Sequence, residues 1–242
     1  MSFESSITLS ADFTDVSDFR PVNVDQDDLV ISTQVNNLEN RTVFNYRILN
    51  ENLLRYNSKY KKHNYNFLLG YSTVYARNDG FTGSLSNFPS NAIQEFDGGG
   101  TLNPTVSGSA NENAIQSIFG RANYNFNNKY LLEFNIRRDG SSKFSPENRF
   151  GVFPSLSAGW RITQEKFMSK IMEGNFLTNL KLRGSWGRTG NNGIPAYIFA
   201  QTYNAGLDYV LGNANSIVSG VALTRLANPN IKWETTEQYD IG

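Results

Sequence analysis

The sequence predicts an all-β protein: antiparallel, up-and-down strands of a transmembrane β-barrel, about eight of them. Three observations predict it. Apolar side chains recur with period two rather than 3.6; Asn, Gly and Ser collect between these runs; and the connections alternate between a short and a long population. Composition agrees, because 242 residues carry 17 Phe, 12 Tyr and 3 Trp beside 20 Gly and 31 Asn, a mixture suited to strands separated by polar turns. Hydrophobic content is 39% with a mean hydropathy of −0.44. No apolar run approaches the roughly 20 residues of a membrane helix, whereas strand alternation hides a barrel's apolar surface from such a window.

Taken in order, a weak first strand runs through Phe3, Ile7, Leu9 and Phe13. The second carries Ile48, Leu54, Tyr56 and Tyr60 into Lys61-Lys62, and the third carries His63, Tyr65, Phe67, Leu69, Tyr71 and Tyr75 out. Residues 117–126 set Ile118, Ala122, Tyr124 and Phe126 against Arg121, Asn123 and Asn125. A tight turn at Asn127-Asn128 leads into Tyr130, Leu132, Phe134 and Ile136, which alternate with Glu133, Asn135 and Arg137. The sixth strand, 151–162, sets Val152, Pro154, Leu156, Ala158, Trp160 and Ile162 against Phe153, Ser155, Ser157, Gly159 and Arg161. The seventh sets Leu180, Leu182 and Trp186 against Lys181, Arg183 and Ser185, and the eighth runs through Ile231, Trp233, Tyr239 and Ile241. Long loops are expected after the first strand and over residues 77–115 and 189–229, with a shorter one over 139–150. Two-residue turns join the other ends, and the stretch from Gln164 to Thr178 has room for a helical turn. Short turns at one rim and long loops at the other suit periplasmic and extracellular ends of a barrel better than a soluble sandwich.

The same residues exclude much chemistry. With 22 Lys+Arg against 22 Asp+Glu there is no surplus for neutralising phosphates, so nucleic acid is not an expected partner. No cysteine and a single histidine, His63, leave no thiolate site, His-based metal cluster or Ser-His-Asp triad with a second His to spare. Glu133 and Glu147 lie on different elements with nothing to pair them for glycoside hydrolysis. No catalytic residue, metal site or cofactor is expected. Gly98-Gly99-Gly100 lacks the Lys-Ser/Thr of a phosphate loop and reads as a flexible loop. Asp25, Asp27 and Asp28 lack the Gly and terminal Glu of an EF-hand and read as a solvated loop. His63 reads as a structural residue at the short-turn rim, and Arg138-Asp139-Gly140 as the start of a loop in which the Arg and Asp pair.

Alternation divides the side chains into two candidate sets. Tyr130, Leu132, Phe134 and Ile136 are expected to meet acyl chains or, with Trp160, Trp186 and Trp233, the headgroup girdles. Arg121, Asn123, Glu133, Asn135, Arg137, Arg161, Lys181 and Arg183 are expected to line the lumen or meet a plug. Aromatics in the last long loop, Tyr197, Phe199, Tyr203 and Tyr209, are candidates for stacking on a substrate.

The run Tyr130–Ile162, YLLEFNIRRDGSSKFSPENRFGVFPSLSAGWRI, resembles the barrel signature of SusC/RagA-type TonB-dependent transporters of Bacteroidota. FGRANYNF at 119–126, NLKLRGSWGRTGN at 179–191 and NPNIKWETTEQYDIG at 228–242 follow in the family's order, and KHNYNFLLGYS at 62–72 is similar to an earlier strand. The resemblance implies a Gram-negative outer-membrane importer of oligosaccharide or peptide, its barrel of roughly 22 strands plugged by an N-terminal domain. It implies a SusD-like lipoprotein at the surface, the TonB–ExbB–ExbD complex acting through the plug, and outer-membrane lipid around the wall. Residues 1–242 are then expected to be an internal segment of that barrel, about a third of it and an open curved sheet on its own, with plug, TonB box and remaining strands outside this chain. The alternative is a surface-exposed β-rich adhesion or glycan-binding module that does not transport.

Overall fold

The computed structural model describes residues 1–21, 35–99, 102–168, 178–211 and 216–242. Ten strands form: β1 (Ser2–Arg20), β2 (Asn37–Tyr60), β3 (His63–Ser86), β4 (Leu102–Phe126), β5 (Tyr130–Ser141), β6 (Phe150–Arg161), β7 (Lys181–Asn191), β8 (Thr202–Leu211), β9 (Ser216–Arg225) and β10 (Glu234–Ile241). Eight make one antiparallel sheet in the order β1-β2-β3-β4-β5-β6-β7-β10, and β8-β9 make a separate hairpin. The order does not return from β10 to β1, so the described sheet is unclosed. Its eight strands are the eight read from alternation.

The strand lengths depart from expectation. β2, β3 and β4 are 24, 24 and 25 residues long, so the supposed loop over 77–115 is mostly strand. The cause is compositional: stretches such as Arg77–Ser86 and Pro104–Asn113 are mostly polar and small, and Phe81, Leu85 and Val106 are too few to set a hydrophobic period. The 189–229 loop likewise holds the β8-β9 hairpin. After β6 the helical turn appears as two 3-10 turns, Ile162–Gln164 and Lys166–Met168. The Asn127-Asn128 turn has both residues left-handed, at φ 52° and 57°, the geometry that matches strand twist and that Asn tolerates.

Contacts divide the chain into two units. In the smaller, residues 9–48 and 75–112, Leu38 and Phe88 are buried and Asn36 fastens the loop after β3: its side chain donates to Phe88 O at 3.1 Å and accepts from Phe88 N at 2.7 Å. Gly98 and Gly99 are not a flexible loop here. Gly98 closes a 3-10 turn, and a Cβ on Gly99 would sit 2.4 Å from Leu85 and 2.9 Å from Phe88, so the glycine permits close packing. Gly100 and Asp25, Asp27 and Asp28 lie outside the described residues.

In the larger unit, residues 1–8, 49–74 and 113–242, register decides which side chains share a face, because directly opposed residues of paired strands project the same way. Ala122, Phe134, Leu156, Trp186 and Tyr239 form one continuous row across β4, β5, β6, β7 and β10. Tyr124, Leu132, Ala158, Gly184 and Ile241 form the next, followed by Phe126, Tyr130, Trp160 and Leu182. The opposite face carries the rows Asn123-Glu133-Ser157-Ser185-Asp240 and Arg121-Asn135-Ser155-Gly187-Gln238. β6 contains Pro154 without losing a needed bond, since its pairing with β7 stops at Ser155. Among the described residues the buried apolar side chains are only Leu38, Phe88, Phe144, Phe153 and Met168. The apolar rows therefore have no protein covering them: Leu132, Phe134 and Leu156 stand 47%, 45% and 51% exposed.

The small core of this unit gathers at the long-loop end. Phe144 and Phe153 pack on Trp233, with ring centroids 5.2 and 5.3 Å away, and the indole N–H donates to Arg149 O at 3.0 Å. Phe153 lies over two glycines, since a Cβ on Gly151 or Gly190 would meet its ring at 2.4 or 2.1 Å. With Trp233 behind it the ring has little room to retreat, so Gly190→Ala is expected to destabilise the protein by about 1–3 kcal/mol through overpacking. Thermal melting in detergent checks this, and an unchanged transition would refute the close approach.

Candidate functional site

All eight polar candidates sit on the same face of the larger unit, and the sheet makes a depression there. Its volume is about 430 Å³, and its floor is Ser157, Gly159 and Ser185, with Asn123, Glu133, Lys181, Arg183 and Asp240 around it. Small residues on β6 and β7 create the hollow, and longer side chains on β4, β5 and β10 rim it. Lys181 lays its stem over Gly159, where a Cβ would come within 3.0 Å of Lys181 Cε, a packing that leaves the ammonium at the edge.

The charges divide into committed and free. Arg137 donates from Nε to both Asp139 oxygens at 2.7 Å and from Nη2 to Ser117 Oγ at 2.8 Å, with its guanidinium 5.2 Å from the Phe119 ring. It is a structural brace between β4 and β5 rather than an available cation. Asp139 pairs with Arg137, not with the adjacent Arg138 as expected, because residues two apart on a strand share a face and neighbours do not. Asn135 is also committed, donating to Glu133 Oε1 at 2.9 Å and Ser155 Oγ at 3.2 Å. Arg183 approaches Asp240 only loosely, at 3.9 Å. Among the described residues Arg121, Arg161 and Lys181 have no carboxylate within ion-pair distance, so this face leans basic although the chain is neutral.

Tyr130, Leu132, Phe134, Ile136, Trp160 and Trp186 lie together on the other face. Trp233 does not join them: it precedes β10 and packs on Phe153, which belongs to the polar-face row of Phe119 and Arg137. At the short-turn end His63 Nδ1 and Tyr124 Oη are 2.9 Å apart, within a group of rings that includes Tyr65 and Phe126. Beside it Glu165 accepts from Lys129 Nζ at 2.9 Å, Tyr130 Oη at 2.8 Å and Trp160 Nε1 at 3.3 Å. This carboxylate was not identified from sequence, because its partners are gathered by the β5-β6 register rather than by spacing.

The loop aromatics do not form one patch. Gly206, at φ +78°, is an extra residue where the β8-β9 register shifts between Ala205 and Leu207. The bulge inverts the alternation. Tyr203 therefore shares a face with Val221 and Leu223, whereas Tyr209 joins Val218 on the other and covers Gly220. Tyr197 is half-exposed in a left-handed turn, φ 59°, its carbonyl accepting from Arg225 at 3.2 Å, and Phe199 is half-buried nearby in sequence.

An unclosed antiparallel sheet with one apolar and one polar face is a stretch of membrane β-barrel wall. The chain belongs to the TonB-dependent receptor family: residues 3–242 match the family described as "TonB dependent receptor-like, beta-barrel". It is 34% identical over 249 residues to TonB-dependent receptor P3 of Formosa agariphila, an alignment covering 100% of this chain and 23% of that protein. It is 38% identical over 134 residues to TonB-dependent receptor SusC of Bacteroides thetaiotaomicron, covering 55% and 13%. The solved structure of the RagAB peptide transporter superposes with a TM-score of 0.85 at 25% identity, over 99% of this chain and 25% of that one. This chain thus spans about a quarter of the relatives it matches along its whole length. The family is one of the bacterial outer membrane.

The Glu165 cluster carries a pH prediction. Lys129 first, then Tyr130, hold its carboxyl below the ordinary glutamate value. A depressed carboxylate contributes stability above its unfolded pKa and loses it as pH falls through the folded one. Melting of the intact receptor is therefore expected to weaken as pH drops through the carboxylate range, and Glu165→Gln to remove that part of the slope. Parallel slopes in the two proteins would contradict the assignment.

Proposed function

We propose that residues 1–242 are one part of the barrel of an energised outer-membrane importer, with a plug domain and further strands supplied elsewhere in the intact protein. The observation that carries this reading is the segregation of rows across five strands, read together with the family. In this reading the apolar rows meet acyl chains, with Tyr130, Trp160 and Trp186 toward the headgroups, and the polar face lines the lumen. The free cations Arg121, Arg161 and Lys181, with Arg183, offer docking points for the plug or for anionic groups of a passing solute. Similarity to SusC and to a peptide transporter supports an oligosaccharide or peptide cargo, a SusD-like surface lipoprotein as partner, and energisation by TonB–ExbB–ExbD through the plug.

One pair of neighbours tests the faces in the intact receptor expressed in its host. Leu156→Arg puts a charge in the proposed lipid-facing row and is expected to cost about 2–4 kcal/mol near the midplane, lowering the folded receptor in outer membranes. Ser157→Arg, on the polar face, is expected to fold normally and reduce cargo uptake several-fold by filling the depression. The reverse pattern would overturn the orientation. Cargo bound at the surface without energised uptake would replace transport with the adhesion reading.

A further inference from the structure

The outermost rows of the apolar face end, toward the long loops, in a group of polar and cationic side chains with no assigned role. Ile118, Arg138 and Val152 form one row across β4, β5 and β6, and Gln116, Gly140 and Phe150 form the next. Arg138 therefore projects from the same face as Ile136 and Phe134, whereas Arg137 projects from the other. The Phe150 ring covers Gly140, where a Cβ would meet it at 2.4 Å, and the Arg138 guanidinium sits 4.0 Å from that ring's centre. Gln116 Nε2 donates to Tyr71 Oη at 3.3 Å on the same face. Arg137 is tied to Asp139 and Ser117, but Arg138 is exposed and has no carboxylate partner among the described residues. Its five N–H donors are held in place by an aromatic face and left unused by the protein.

The position along the strand indicates what uses them. From Tyr130 to Arg138 is eight steps of about 3.4 Å, which at a barrel tilt near 40° spans roughly 21 Å, close to the apolar band of about 25 Å. If Tyr130 and Trp160 mark one girdle, Arg138 stands at the other, where acyl chains give way to headgroups on the long-loop side. A guanidinium needs a bidentate oxyanion there, and phosphate is the anion that headgroups supply.

We propose that Arg138, seated on Phe150 and flanked by Gln116 and Tyr71, binds a phosphate of the outer-leaflet glycolipid. The site rests on the lipid-facing assignment of the apolar rows. The test uses the intact receptor in detergent, titrated with bisphosphorylated lipid A, the same lipid dephosphorylated, or inorganic phosphate, and read by thermal shift. Wild type is expected to be stabilised by the phosphorylated lipid alone. Arg138→Gln is expected to melt like wild type without lipid and to need about tenfold more phosphorylated lipid for the same shift, the loss of one charge-assisted contact. Equal titrations for the two proteins, or stabilisation of wild type by the dephosphorylated lipid to the same degree, would overturn the site. A fluorophore on Leu156→Cys, challenged with brominated acyl chains, separates the two readings: quenching without a phosphate effect removes the Arg138 site alone, and no quenching removes the lipid-facing assignment beneath it.

Discussion

Lipid accepts no backbone hydrogen bond, so each strand in a membrane wall must pair its N–H and C=O groups with its neighbours. That requirement fixes strict alternation, and alternation makes register the variable on which everything else depends. A slip of one residue between β5 and β6 would bring the row of Phe134 to the face of Ser157. Asn127 and Asn128 set this register between β4 and β5, because two successive left-handed residues close the turn at Lys129 N to Phe126 O, 2.9 Å. Asn125 Oδ1 accepts from Asn128 N at 2.9 Å and holds the turn from the strand side. A local choice of three asparagines thus helps determine which side chains share a face many residues away.

Once the rows are aligned, the polar face acquires character from residue size as much as charge. Ser157, Gly159 and Ser185 fall in adjoining positions on β6 and β7, and their smallness makes the depression. The cations around it are unequal. Arg137 is held by a carboxylate, a hydroxyl and a ring, whereas Lys181 and Arg161 have no carboxylate partner among the described residues. Counting the arginines of the polar face therefore overstates its unpaired charge, and the distinction comes from which positions share a face two residues apart.

This is also where sequence reading succeeded and where it stopped. Eight strands and the two faces were legible because Tyr130-Leu132-Phe134-Ile136 and its counterparts keep period two without interruption. β3 and β4 were under-read because stretches such as Arg77–Ser86 and Pro104–Asn113 are mostly polar and small, and β2 because Asn40 and Thr42 interrupt the row from Leu38 to Phe44. Tyr203 and Tyr209 read as loop aromatics because the 189–229 stretch shows no strand pattern; they lie in the β8-β9 hairpin, where the extra residue at Gly206 places them on opposite faces. Trp233 read as a girdle residue by analogy with Trp160, but it lies just outside β10, where strand parity no longer governs direction. The Glu165 cluster had no local pattern, being assembled from β5, β6 and the turn beyond.

The glycine positions show how the wall can be both thin and rigid. Phe119 covers Gly70, Phe153 covers Gly151 and Gly190, and Phe150 covers Gly140. In each case a ring occupies the space a side chain would have taken, which restores packing where a glycine weakens a strand. Phe119 and Phe153 are aromatics on the polar face, so their presence there is explained by the glycines beneath them rather than by contact with lipid. Each ring also supports something further: Phe119 carries Arg137, Phe153 carries Trp233, and Phe150 carries Arg138. A sheet with almost no buried core of its own thus holds its functional side chains in place through glycine-aromatic pairs, one layer thick, on both faces.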